Sequence, residues 1–193
     1  MKVNKLVAFL GMVVVSQGVY AAAGDTATAT ANWQGKVPGV IQSDAFVITG
    51  EGGDLVTPIG QLMRTTDGAI VAPSIQLEAR DNTGTVAAPI VGELVSTTTR
   101  DDGAGSTEAR AITWAVSDVA FFANGTPVAG LDWSVMHDGI VLATSTASGV
   151  TQISSHAGDI LKLNALSTSA SADIDMYTGK DAALSVTVIA SEI

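Results

Sequence analysis

Apolar and polar residues alternate with a period of two along much of this chain, a pattern that predicts half-buried β-strands. Ile75, Leu77 and Ala79 alternate within residues 73–80. Ile112, Trp114 and Val116 alternate with Thr113 and Ala115 before the run reaches Val119, Phe121 and Phe122. Leu131, Trp133 and Val135 follow the same rule. Ala170, Ala172, Ile174 and Met176 share one face against Ser169, Ser171, Asp173 and Asp175 on the other. Leu184, Val186 and Val188 alternate with Ser185 and Thr187 near the end of the chain. Turn clusters separate these runs: residues 50–53, 66–68, 81–84, 101–105 and 178–180. Asn124-Gly125 predicts a tight hairpin, because both residues tolerate positive φ, and Asp138-Gly139 reads as another turn. Residues 181–184 leave room for a short helical turn. Helical periodicity is otherwise scarce, and neither an internal repeat nor a second-domain linker is visible. The expectation is one all-β domain, an antiparallel β-sandwich.

The first 23 residues stand apart from that domain. Lys2 and Lys5 precede a short apolar run over residues 6–15, and Val19, Ala21 and Ala23 suit the positions a signal peptidase reads. A secretory signal peptide over residues 1–23 is expected, cleaved after Ala21 or Ala23. The apolar run falls short of the roughly 20 residues a membrane span needs. No later run approaches that length, so the expected product is exported and has no integral membrane span.

Charge and composition narrow the partners. The chain of 193 residues carries 9 Lys+Arg against 19 Asp+Glu, and losing Lys2 and Lys5 with the signal leaves a net charge of −12. Nucleic acid and anionic lipid are both bound through clustered cations, so neither is an expected partner. Hydrophobic residues make up 47% of the chain, enough for a packed core. Cysteine is absent, which excludes disulfides, thiol catalysis and thiolate metal sites.

Candidate chemistry is thin. Met136-His137-Asp138 contains half of a triad, but the adjoining turn explains it, and His156 is a lone histidine. No Gly-x-Ser-x-Gly elbow occurs. Asp101-Asp102-Gly103 and Asp173-Ile174-Asp175 lack the spaced ligands and terminal glutamate of a calcium loop. The glycine run 50–53 lacks the Lys-Ser/Thr of a phosphate loop. Asn124-Gly125-Thr126 matches a glycosylation sequon that the hairpin already accounts for. No catalytic residue, metal ligand or cofactor is expected, and the chain does not read as an enzyme.

The two ends of the chain say more. Thr26-Ala27-Thr28-Ala29-Thr30-Ala31-Asn32-Trp33 alternates small residues, with Ala27, Ala29, Ala31 and Trp33 on one face. Threonine favours strands. The segment reads either as the first strand of a complete sandwich or as an extension that pairs with another subunit by strand addition. At the other end the sequence finishes on the strand of residues 184–193.

Asn32-Trp33-Gln34-Gly35-Lys36-Val37-Pro38 resembles the Asn-Trp-Gln-Gly-x-Val-Pro start of the major pilins of chaperone–usher colonisation-factor fimbriae. Asp173-Ile174-Asp175-Met176 is similar to their late Ile-Asp-Met strand, and residues 186–193 to their apolar C-terminal strand. The resemblance is carried by the two ends of the chain. It implies an incomplete immunoglobulin-like antiparallel β-sandwich completed by donor-strand exchange. Residues 24–32 would be the donor-strand extension and residues 33–193 the pilin domain. Ala27, Ala29, Ala31 and Trp33 would serve polymerisation, while Leu184, Val186 and Val188 would line the groove and pair with a chaperone. The implied partners are identical subunits in a fibre, a periplasmic chaperone and an outer-membrane usher, with the product at the cell surface in a fimbrium. Alanines are small for donor residues, since a buried methyl contributes only about 0.8 kcal/mol. The competing expectation is a self-sufficient secreted β-sandwich that recognises a glycan or a protein. Aromatic residues, on which sugars stack, are only 5% of the chain and mostly hold alternating core positions.

Overall fold

The computed structural model of the protein describes residues 26–32, 45–56, 58–101 and 107–193. In chain order the strands begin with β1 (Thr26–Asn32), β2 (Phe46–Thr49), β3 (Met63–Arg64), β4 (Ile70–Asn82) and β5 (Val91–Leu94). Next come β6 (Thr99–Asp101), β7 (Thr107–Ala109), β8 (Ile112–Ala123), β9 (Thr126–Val128) and β10 (Trp133–His137). The last are β11 (Ile140–Thr146), β12 (Gly149–Gln152), β13 (His156–Ala157), β14 (Ile160–Ser167) and β15 (Ala182–Glu192). One short α-helix among the described residues, α1 (Ser171–Asp175), lies before β15.

Two antiparallel sheets carry the fold. One runs β1-β15-β8-β13, with β9 also on β8; the other runs β12-β11-β10-β14-β4-β2, with β3 and β5 also on β4. Their inner faces share one core, in which Trp114 of β8 and Trp133 of β10 are the largest buried side chains. The Phe121 ring of β8 meets the Trp133 ring at 5.6 Å between centroids, and Tyr177 packs edge-on against Phe121 at 5.7 Å. Aromatic pairs at such distances add to the area they bury.

The predicted alternations at 73–80, 112–116 and 184–188 lie in strands with their apolar members buried; of 131–135, Trp133 and Val135 are buried in β10, and buried Leu131 precedes that strand. The alternation changes phase where a strand carries an extra residue. In β8 the buried residues are Ile112, Trp114 and Val116, then Phe121 and Ala123, while Phe122 is half-buried. Val188 opposes Val116 and Thr187 opposes Asp118, so Ser117 is a bulge that moves the inward face by one residue. The same happens in β4, where Leu163 faces Ile75 but Ala165 faces Ala72. Pro73, with no N–H to give a ladder, sits in that bulge. Asn124 and Gly125 take φ of 49° and 74° and join β8 to β9; Asp138 and Gly139 do the same between β10 and β11.

Two expectations are corrected. The alternating segment 169–176 is not a strand: residues 171–175 form α1, only Ile174 of the predicted apolar face is seen buried, and Ala170 and Met176 are exposed. Alanine favours helix, and Asp173 in the first turn complements the helix dipole. A small-residue alternation with one large apolar member buries too little to hold a strand in place. The possible helical turn at 181–184 is instead the start of β15, where Ala182 and Leu184 pair with Ala123 and Phe121.

Candidate functional site: the outer edge of the C-terminal strand

β15 is the strand on which the proposed site residues converge. Leu184, Val186, Val188 and Ala190 are fully buried on its inner face. One side of β15 pairs with β8 along its whole length, from Ala182 opposite Ala123 to Glu192 opposite Ile112. Its other side would be an open row of backbone donors and acceptors, and such a row is a template for any further strand.

In this chain β1 lies on that row. Its antiparallel register runs without a break from Thr26 opposite Ser191 to Asn32 opposite Ser185. Ala27, Ala29 and Ala31 therefore stand opposite Ala190, Val188 and Val186, the buried-face residues of β15. β15 is the only strand β1 pairs with among the described residues, and the β1 backbone also comes within 8 Å of β2 in the other sheet. Trp33, the remaining predicted member of this group, lies outside the described residues.

A buried ionic clasp anchors the far end of β15. Glu192 continues the inward alternation of Val186, Val188 and Ala190, yet it is a carboxylate only 2% exposed. Arg110, itself buried, donates from Nε to Glu192 Oε1 at 2.8 Å and from Nη2 to Oε2 at 3.2 Å. The same guanidinium donates to Asp81 at the end of β4, to Thr98 Oγ1 at 3.0 Å and to the Ala45 carbonyl at 2.8 Å. Arg100 adds a second cation 3.4 Å from Glu192. Burial works against the Arg110 charge, but hydrogen bonds and attraction from Glu192 and Asp81 outweigh it and hold its pKa above the ordinary value. The clasp ties β15 to β4 and to the start of β2, so the end of β15 is held independently of β1.

The sequence candidates away from this edge have structural partners. Asp175 pairs with Arg64, and Asp173 is exposed. Asn124 Oδ1 accepts the Asp181 N–H at 3.0 Å, bracing the hairpin against the start of β15. The glycine turn after β2 is held by Glu78, whose carboxylate accepts from Gly52 N–H, Gln76 and Arg80. His137 and His156, 19 positions apart in sequence, stack face to face. Sequence reasoning missed both this stack and the clasp. The one available signal was Glu192 itself, an acid at an inward position of an apolar strand, which requires a cation. Neither family models nor comparisons with curated proteins and solved structures give a match to this chain.

Proposed function

We propose that this chain is the repeating structural subunit of a surface fibre of the chaperone–usher colonisation-factor type, exported through the periplasm and not an enzyme. The observation that carries the reading is the pairing of a separate, small-residue N-terminal strand with the outer edge of β15 and, among the described residues, with no other strand. That pairing uses backbone bonds and a register that any second copy of the segment can reproduce. In the fibre the β1 of one subunit occupies the β15 edge of the next. A chaperone strand covers the same edge beforehand, and an usher exchanges the two. Each sandwich is then of the immunoglobulin-like, strand-deficient kind, with Leu184, Val186 and Val188 lining the groove. The clasp at Glu192 suits this role, because it fixes β15 while its edge partner changes.

A second reading has its own observation. β1 closes the edge within one chain, as it would in a self-sufficient secreted module that binds a glycan or a protein. One pair of variants separates the two. Ala29→Asp places a charge opposite Val188, whereas Thr28→Asp lies at the neighbouring register position. Exchange between subunits predicts that Ala29→Asp leaves chaperone-bound subunit abundant on a periplasmic blot and abolishes fibres by electron microscopy, with Thr28→Asp far milder. Normal fibres from Ala29→Asp sink the donor role of β1. Loss of the subunit itself marks β1 as the first strand of a complete sandwich.

A further inference from the structure

His137 ends β10 in one sheet, and His156 opens β13 on the other. Their rings lie 3.8 Å apart between centroids and 29° from parallel. The hydrogen bonds define both tautomers. His137 Nδ1 accepts the Lys162 backbone N–H at 3.0 Å, so its proton is on Nε2, 3.6 Å from the Asp138 carboxylate. His156 Nε2 lies 2.9 Å from the Ile160 carbonyl, which can only accept, so its proton is on Nε2 as well. The His137 ring is therefore neutral in this arrangement.

The stack sits on the segment that crosses between the sheets. Residues 153–160 carry the chain from β12 through β13 to β14, with bonds to both layers. Gly158 N–H donates to Ile112 O at 2.9 Å, and the Trp114 indole N–H donates to Gly158 O at 2.7 Å. Ala79 N–H donates to Asp159 O at 2.8 Å on β4. His156 pairs with Trp114 across the β13–β8 ladder. The His137 ring is thus a stop against which the crossover rests, and Trp114, the ladder partner of His156, is fully buried.

We propose that the His137–His156 stack is an acid-released latch: neutral His137 holds the crossover against both sheets, and its protonation frees it. Two consequences of protonation act together. The vacant nitrogen of His137 is the one that accepts the Lys162 N–H, so a proton there breaks that bond. The new charge also lies against the His156 ring, whose centroid is 3.8 Å away. Among the described residues, the titratable groups facing His137 are His156 on β13, Asp138 in the β10–β11 turn and Lys162 on β14. Burial and His156 hold the His137 pKa below its ordinary 6.5, against the pull of Asp138. A histidine with a lowered folded pKa favours the fold above the ordinary value, and that contribution is lost as pH falls through the window beneath it. The proposal does not depend on fibre assembly.

The test is an NMR titration of the mature chain from pH 8 to 5, following both imidazoles, the Lys162 and Gly158 amides and the Trp114 indole N–H. His137 is expected to titrate below 6.5, and His156→Gln to move that titration upward. Exchange protection at Lys162, Gly158 and the Trp114 indole is expected to drop about tenfold as His137 charges. His137→Gln, whose amide oxygen can still accept the Lys162 N–H, is expected to keep that protection at acid pH. A His137 titration at or above 6.5, or unchanged protection in the wild-type chain across the titration, overturns the proposal. Both of those readouts come from the unmutated protein and do not require any variant to fold.

Discussion

Replacing Arg110 tests the clasp most directly. Arg110→Met keeps the aliphatic stem and removes every donor. Glu192, 2% exposed, is then left with Arg100 at 3.4 Å as its only cation among the described residues, while Asp81 and the Ala45 carbonyl each lose a donor. Breaking a buried pair from one side costs about 3–5 kcal/mol, most of it the stranded charge. With a urea m value of about 2 kcal/mol/M, the unfolding midpoint falls by roughly 1.5–2.5 M. Glu192→Leu is expected to cost less, about 2 kcal/mol, because Arg110 keeps Asp81 as its counter-charge. In the double variant no carboxylate remains stranded at position 192. Its loss should therefore fall short of the sum of the single losses by at least about 1 kcal/mol. Equilibrium urea unfolding of the four proteins closes the cycle. Single losses that add within about 0.5 kcal/mol would refute the claim that Arg110 and Glu192 act as one buried unit.

Two further outcomes follow from burial and charge. Val188→Asp puts a carboxylate at a fully buried position between β1 and β8, with a desolvation cost of several kcal/mol, so recovery of folded protein is expected to collapse; normal yield would mean that this face is not buried. Glu78 is held below its ordinary pKa of 4.5: burial opposes its charge, but bonds from Gly52, Arg80 and Gln76 prevail. Its stabilisation is therefore present above 4.5 and lost as pH falls through the lower folded value, so the urea-midpoint gap between the wild type and Glu78→Gln should narrow below pH 4.5. A gap that widens with acid contradicts the assignment.

Much of this fold was legible because it rests on local rules. Period-two alternation marked the inward faces of β4, β8, β10 and β15, since side chains on a strand must point to opposite sides. Asn124-Gly125 and Asp138-Gly139 marked their hairpins, because positive φ is a property of those residues themselves. Leu184, Val186 and Val188 could be placed on a buried face for the same reason. Other features depended on partners distant in sequence. Where the inward face switches, at Ser117 and around Pro73, is decided by the opposing strand's register. Residues 169–176 alternate as well as any strand here, yet residues 171–175 of them form α1 before Tyr177, whose ring packs on Phe121. Arg110 meets Glu192 across 82 positions, and His137 meets His156 across two sheets. The alternation of β1 announced a strand but not its neighbour, because Ala and Thr suit many edges. Only the tertiary arrangement, which leaves one side of β15 unpaired by β8, decided where β1 lies.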